Sequence, residues 1–207
     1  MIKIEHTTER IESIAGLPLA GKLISRMGVT SIISKLKKGA GNILVHMLGA
    51  LVQGNTRFES LRDVQDDPVF KEALEVEKVF SPETVRLYLE QMIGDVDSIL
   101  KQLQTCNVRL LEKASLSGVK VGTREMIPVD IDTSPMDNSK TKKEKIGYTY
   151  KGFVGYHPLF AYIGAEGYMI ASELRPGSQH CQKGTPEFIG ALCADIAAIG
   201  LDKPAPG

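Results

Sequence analysis

Residues 129–152 read VDIDTSPMDNSKTKKEKIGYTYKG, placing Asp130, Asp132 and Asp137 within eight residues and Lys140, Lys142, Lys143 and Lys145 directly after them. In MIPVDID, which leads into this stretch, Ile127, Val129 and Ile131 alternate with Pro128, Asp130 and Asp132. A period of two puts the first set on one face of a strand and the second set on the other. Carboxylates that share a strand face suit Mg²⁺ or Mn²⁺, which take hard oxygen ligands and keep positions open for water and phosphate. Two such ions can clamp the attacking and leaving oxygens of an in-line displacement. The plainer reading is a strand end meeting solvent, where aspartate is common. Spacing alone does not choose between them.

Working outward, YKGFVGYHPLFAYIGAEGY and MIASELRPG are rich in aromatic and β-branched residues, and the turn-like Ala165-Glu166-Gly167 separates them. They read as a hairpin. The expectation is three antiparallel strands at about 126–133, 149–163 and 167–175, with pairing of the first only beyond Pro128, which is awkward inside a central strand. A helix then runs over 186–199, with Thr185 as its N-cap and Pro186 and Glu187 after it.

Upstream, to about Ser115, the pattern is helical. Ser81 is a good N-cap, Pro82 fits the first helical position and Glu83 complements the dipole. Behind them Val85, Leu89, Met92, Val96, Ile99, Leu103, Cys106 and Leu110 form an apolar stripe, about 40 Å long at 1.5 Å per residue. It can seam a homodimer. Gly94 and Thr105-Cys106-Asn107 suit a free-standing coiled coil poorly, so core packing is the expectation. Thr30-Ser31 are candidate caps of a short basic helix, SIISKLKK, ending at Gly39; such helices occur in helix-turn-helix readers and on many unrelated surfaces. The fold class that follows is α+β, with a helical domain over 1–117 and a strand-rich domain over 118–207.

Bulk properties exclude more than they assign. The chain of 207 residues has 25 basic and 25 acidic side chains, so net charge argues neither for nor against a polyanionic partner. Its distribution is informative: residues 13–58 hold six cations and no acid, whereas residues 59–97 hold eleven acids against four cations. A neutral chain of this kind can still present a basic face, although solvated helix faces explain the same lysines. Cys106, Cys181 and Cys193 lie far apart, without zinc or disulfide spacing, and suit reduced cytosolic thiols. MIKIEHTTER has no apolar core and is not a signal peptide. The longest apolar run, Ile43 to Gln53, contains His46 and is too short to span a bilayer. A buried helix is expected there, and no membrane partner.

VDIDTS superficially resembles the signature of the haloacid-dehalogenase phosphatases, but Ser134 holds the fifth position and Thr133 comes one place early. A fuller match lies elsewhere. Asp132-Thr133-Ser134, the lysine cluster, YTYKGFVGYHPLFAYIGAEGY and ELRPGSQHCQKGTPEF together resemble the DDE transposases of bacterial insertion sequences, nearest to transposase DDE domain group 1. The resemblance is strong over residues 125–200 and looser in the helical region. It implies a ribonuclease H-like catalytic domain, duplex DNA at transposon ends as partner, DNA cleavage and strand transfer by a two-metal mechanism with Mg²⁺ or Mn²⁺, and a cytoplasmic, nucleoid-associated bacterial setting. Asp132 would be the first catalytic carboxylate and a metal ligand at the middle of the sheet, Asp130 its same-face neighbour and Asp137 a helper on the following loop. Lys140, Lys142, Lys143, Lys145, Lys151, Arg175 and Lys183 would contact phosphates, and His180 is a further candidate backbone contact.

The family mechanism needs two aspartates and a glutamate. Asp202-Lys203-Pro204 resembles the approach to the strand that carries the second aspartate, and the sequence stops at Gly207. The expectation is therefore the first half of a ribonuclease H-like domain, without a firmly held metal and inactive alone, that keeps DNA binding. The alternatives are a non-catalytic DNA-binding regulator derived from a transposase, and a hydrolase using Asp130 and Asp132 alone.

Overall fold

The computed structural model describes residues 16–35 and 38–201. The chain divides into two compact units that meet in sequence between Cys106 and Asn107. The first is helical, with α1 (Leu17–Met27), α2 (Val29–Ile33), α3 (Ala40–Val52), α4 (Pro68–Ala73), α5 (Pro82–Gln91) and the start of α6 (Val96–Leu111).

Its core gathers Leu17, Ile24, Val29, Ile33, Ile43, Phe70, Val85, Met92, Ile99 and Cys106. The apolar run expected to form a buried helix is α3. His46 lies fully buried on it, its ring nitrogens facing the backbone carbonyls of Asn42 and, at 2.9 Å, Lys78. As the sequence predicts, Ser81 caps α5, its hydroxyl accepting the Thr84 N–H at 3.2 Å.

Two helical expectations are corrected. The stripe from Val85 to Leu110 does not lie on one helix, because a 3₁₀ turn at Ile93–Asp95, containing Gly94, separates α5 from α6. Its members Val85, Met92, Ile99 and Cys106 lie in the core of their own unit, which is the core packing that the sequence predicts. The basic helix is shorter than expected: α2 follows Gly28 (φ 70°) and ends at Ile33. Ser31 does not cap it, since its hydroxyl donates back to the Gly28 carbonyl at 2.9 Å. Lys35 and Lys38 fall in turns beyond the helix, and Lys37 lies outside the described residues.

Among the described residues, the second unit contains the end of α6, eight short strands and α7 (Thr185–Ile199). The strands are β1 (Val119–Val121), β2 (Arg124–Met126), β3 (Val129–Thr133), β4 (Met136–Asp137), β5 (Gly147–Tyr148), β6 (Val154–Tyr156), β7 (Leu159–Ile163) and β8 (Tyr168–Glu173). They form a β1-β2 hairpin, an antiparallel β3-β7-β8 sheet and an antiparallel β4-β6-β5 sheet. The mixed helical and antiparallel composition is α+β, as expected.

Leu159, Ala161 and Ile163 of β7 pack with Ile170 of β8 against Phe188, Leu192 and Ile199 of α7 and Val108 and Leu111 of α6. The β7–β8 register shifts at Ala161/Tyr162 and skips Ile170. A bulge of this kind turns neighbouring residues to one side, and Ile170 and Ala171 both join this core. Helix α7 matches the expected span except at its start, where Gly184 (φ 77°) is the cap and Thr185 the first helical residue.

The strands correct the sequence in two respects. The expected strand 149–163 is broken: β6 belongs to the small sheet and β7 to the larger one. His157-Pro158 makes the corner, with the His157 N–H bonded to the Arg175 carbonyl at 2.8 Å; proline cannot donate to a ladder, which favours a break there. Among the described residues, the strand carrying Asp132 also has only β7 as neighbour and forms the sheet's edge, not its middle. Pro128 acts as anticipated, pairing beginning at Val129. Asp202-Lys203-Pro204 and the residues after them lie outside the described residues.

Candidate acidic face and lysine loop

Asp130 stands opposite Tyr162 and Asp132 opposite Phe160, while Ser172 on β8 stands opposite Phe160 from the other side. Opposed residues of an antiparallel pair share a face, so one face carries two carboxylates beside two aromatic rings whose centroids are 6.4 Å apart. The reverse face is buried at β7 and β8, where Leu159, Ala161, Ile163 and Ile170 join the core, whereas Val129 and Ile131 of β3 stay exposed. Both aspartates are exposed. Residues two apart on a strand are separated by about 6–7 Å, and Asp132 Oδ1 accepts the Thr133 N–H at 2.8 Å. This donor set, all carboxylate oxygen, has the chemistry that Mg²⁺ or Mn²⁺ prefers. Among the described residues no group of three or more His, Cys, Asp or Glu side chains could hold a metal ion.

Asp137 sits apart from the pair, on β4 of the small sheet. Its carboxyl is held below the usual range by bonds from Ser139, first the hydroxyl and then the backbone N–H, with Lys140 adding attraction. It serves the turn that starts the lysine loop.

The loop between β4 and β5 carries Lys140, Lys142, Lys143 and Lys145, all exposed. It is tethered at both ends: the Thr141 N–H bonds the Asn138 carbonyl at 2.9 Å, and the Tyr156 hydroxyl donates to the Glu144 carbonyl at 2.6 Å. Lys151 is exposed at the β5–β6 turn, its ammonium 5.3 Å from the centroid of the Tyr150 ring. Lys183 is exposed in the turn before α7, where its carbonyl accepts from Gln179 Nε2 at 2.9 Å. His180, also exposed, accepts the Gln182 N–H on Nδ1 at 3.3 Å.

Arg175 departs from its expected role as a phosphate contact. It is 1 % exposed, and its guanidinium makes four hydrogen bonds. Nε and Nη2 grip the Glu173 carboxylate at 3.1 and 3.0 Å, and Nη1 donates to the Cys181 carbonyl and the Thr185 hydroxyl at 3.2 and 3.1 Å. The fork lies 5.9 Å from the Phe188 ring centroid. A buried guanidinium persists only when its donors are matched, and here they hold the 176–184 loop to the start of α7.

Sequence reasoning passed over Tyr148 and Tyr150, which project on either side of a buried Thr149; their alternation in YTYKG was the available signal. It also passed over Glu166. That carboxylate accepts the Ser117 N–H at 3.1 and 3.0 Å through its two oxygens, and bonds from Ser117 hold it below the usual glutamate range.

The second unit thus carries an acid pair on a sheet face and an exposed lysine loop. The profile of the family described as transposase DDE domain group 1 matches residues 1–201, and the chain belongs to that family. Membership supports a transposase function in general terms. No curated protein and no solved structure matches the chain. No helix among the described residues is long and apolar enough to cross a membrane.

Proposed function

We propose that the chain acts on DNA as a transposase of the DDE type, with Asp132 as the first catalytic carboxylate and Asp130 as its neighbour. The observation that carries this reading is the place of Asp132. It lies within an antiparallel strand whose sheet is followed by a helix packed on the opposite face, the order of a ribonuclease H-like domain. Asp130 and Asp132 would hold Mg²⁺ or Mn²⁺; when bound, the metal supplies Lewis-acid polarisation at phosphorus. The chain's own residues bind and orient the DNA. Lys140, Lys142, Lys143, Lys145, Lys151 and Lys183 contact phosphates, whereas Arg175 secures the loop that presents Lys183. The helical unit that ends at Cys106 serves as an accessory domain, and the cations between residues 22 and 57 contact DNA phosphates as well.

The 207 residues taken alone bind duplex DNA without cleaving it. A two-metal mechanism draws ligands from several elements fixed to a fraction of an ångström, and the described residues bring two acids from one strand. That same observation favours the second reading, a DNA-binding regulator derived from a transposase.

Plasmid DNA with Mg²⁺ or Mn²⁺ tests both. Binding should weaken steeply between about 50 and 200 mM salt, without nicking. Under the first reading Mn²⁺ binds weakly, and Asp132→Ala removes that binding. Under the regulator reading Asp132→Ala leaves Mn²⁺ uptake and DNA affinity unchanged. Metal-dependent nicking by the chain, lost in Asp132→Ala, would overturn the claim of inactivity and restore a hydrolase built on Asp130 and Asp132.

A further inference from the structure

The β5–β6 turn carries a feature that phosphate binding leaves unused. Tyr148 and Tyr150 are 68 % and 66 % exposed, although rings of this size normally bury most of their surface. Thr149 between them is buried, and it locks the turn. Its N–H bonds the Phe153 carbonyl at 2.8 Å, its hydroxyl donates to the same carbonyl at 2.9 Å, and its own carbonyl accepts the Gly152 N–H at 3.0 Å. Gly152 at φ 86° closes the tip, a backbone state that favours glycine. The two rings are therefore held out by a rigid support.

Their surroundings are selective. The Lys151 ammonium lies 5.3 Å from the Tyr150 ring centroid, and Lys142, Lys143 and Lys145 lie on the loop entering β5. Behind Tyr150 the His157 ring sits at 5.1 Å. His157 Nε2 is enclosed and has no hydrogen-bond partner among the described residues, so it can still take one bond if Tyr150 moves onto a ligand. Exposed rings interleaved with cations are the recognition chemistry of unpaired nucleotides, in which bases stack on aromatics while the backbone follows the positive charge. A closed duplex offers only phosphates and base edges, and has no π-face for a protruding ring to cover.

We infer that the Tyr148–Tyr150 turn is a stacking site for an unpaired nucleotide of a DNA strand, with the neighbouring lysines holding its phosphates. The inference rests on the DNA-binding reading above and adds a preference for strand ends or frayed positions over continuous duplex.

A blunt two-strand duplex and the same duplex carrying a short 3′ overhang with 2-aminopurine test it at low salt. The parent chain should bind the overhang probe more tightly and quench the 2-aminopurine. Tyr148→Ala with Tyr150→Ala should lower overhang affinity by about tenfold or more and remove the quench, leaving blunt-duplex affinity within about twofold. Tyr148→Phe with Tyr150→Phe keeps both rings and should behave as the parent, which separates stacking from loss of fold. Equal affinity for the two probes, or an alanine variant that still quenches, would overturn the stacking site while leaving duplex binding intact. Failure of the parent chain to bind either probe would overturn both.

Discussion

The two three-stranded sheets of the second unit have the same strand count and pairing sense, but they are held together in different ways. The β3-β7-β8 sheet rests on side chains: Leu159, Ala161, Ile163 and Ile170 are buried against α7. The β4-β6-β5 sheet has almost no core and is assembled by backbone against backbone. A Cβ on Gly155 would sit 1.9 Å from the Met136 carbonyl oxygen, and one on Gly177 would sit 2.2 Å from that of Gly147. The packed sheet carries the carboxylates, and the glycine sheet carries the lysines and the exposed tyrosines. On the proposed reading, acids that need a fixed geometry sit on the packed sheet. Cations proposed to follow a polymer backbone sit on the lighter one.

Ile163→Ala should break the packed sheet most severely, costing about 2–5 kcal/mol as a cavity opens under β7. Urea unfolding would show a lower midpoint with an unchanged slope. Gly155→Val should act locally, forcing β4 from β6 at a cost of about 1–3 kcal/mol and speeding protease cleavage within residues 136–156. If it lowers global stability as much as Ile163→Ala does, the two sheets form one cooperative unit and the distinction fails.

Lys142→Ala with Lys143→Ala should leave stability within about 0.5 kcal/mol while reducing the salt slope of DNA binding by about one per lysine. An unchanged slope would remove these lysines from the contact. The smallest effect concerns Glu166. Its carboxyl is depressed in the folded chain by Ser117, so its stabilisation is present above the unfolded value near 4.5 and is lost as pH falls through the lower folded value. Glu166→Gln should therefore be less stable than the parent at pH 7, and the gap should close as pH drops below about 4.5. A gap independent of pH would show that the bond's charge does not matter.

Local signals in the sequence were read correctly where a few adjacent residues decide the outcome. Ser81-Pro82-Glu83 start a helix through their own caps, the alternation at Ile127–Asp132 sets a strand, and Ala165-Glu166-Gly167 marks a hairpin. What escaped depended on partners far along the chain. The aromatic, β-branched run over 149–163 looks like one strand, and only the separate partners of β6 and β7 divide it. Arg175 in RPG reads as a loop cation, and its burial comes from Glu173, Thr185 and Phe188 converging on it. Asp132 was legible as strand-borne and exposed, whereas its edge position depends on which strands pair beside it.

That edge position gives the aspartates a further effect unrelated to chemistry. A strand with a neighbour on one side only offers its other backbone groups to any passing strand, and inward or flanking charges are a common guard against such pairing. Val129 and Ile131, both more than a third exposed, would make β3 adhesive if Asp130 and Asp132 did not repel a second copy. The obvious silent control, Asp130→Asn with Asp132→Asn, would remove the proposed metal ligands and that repulsion together. Such a variant should self-associate more than the parent, and a loss of Mn²⁺ binding measured on it would combine two causes.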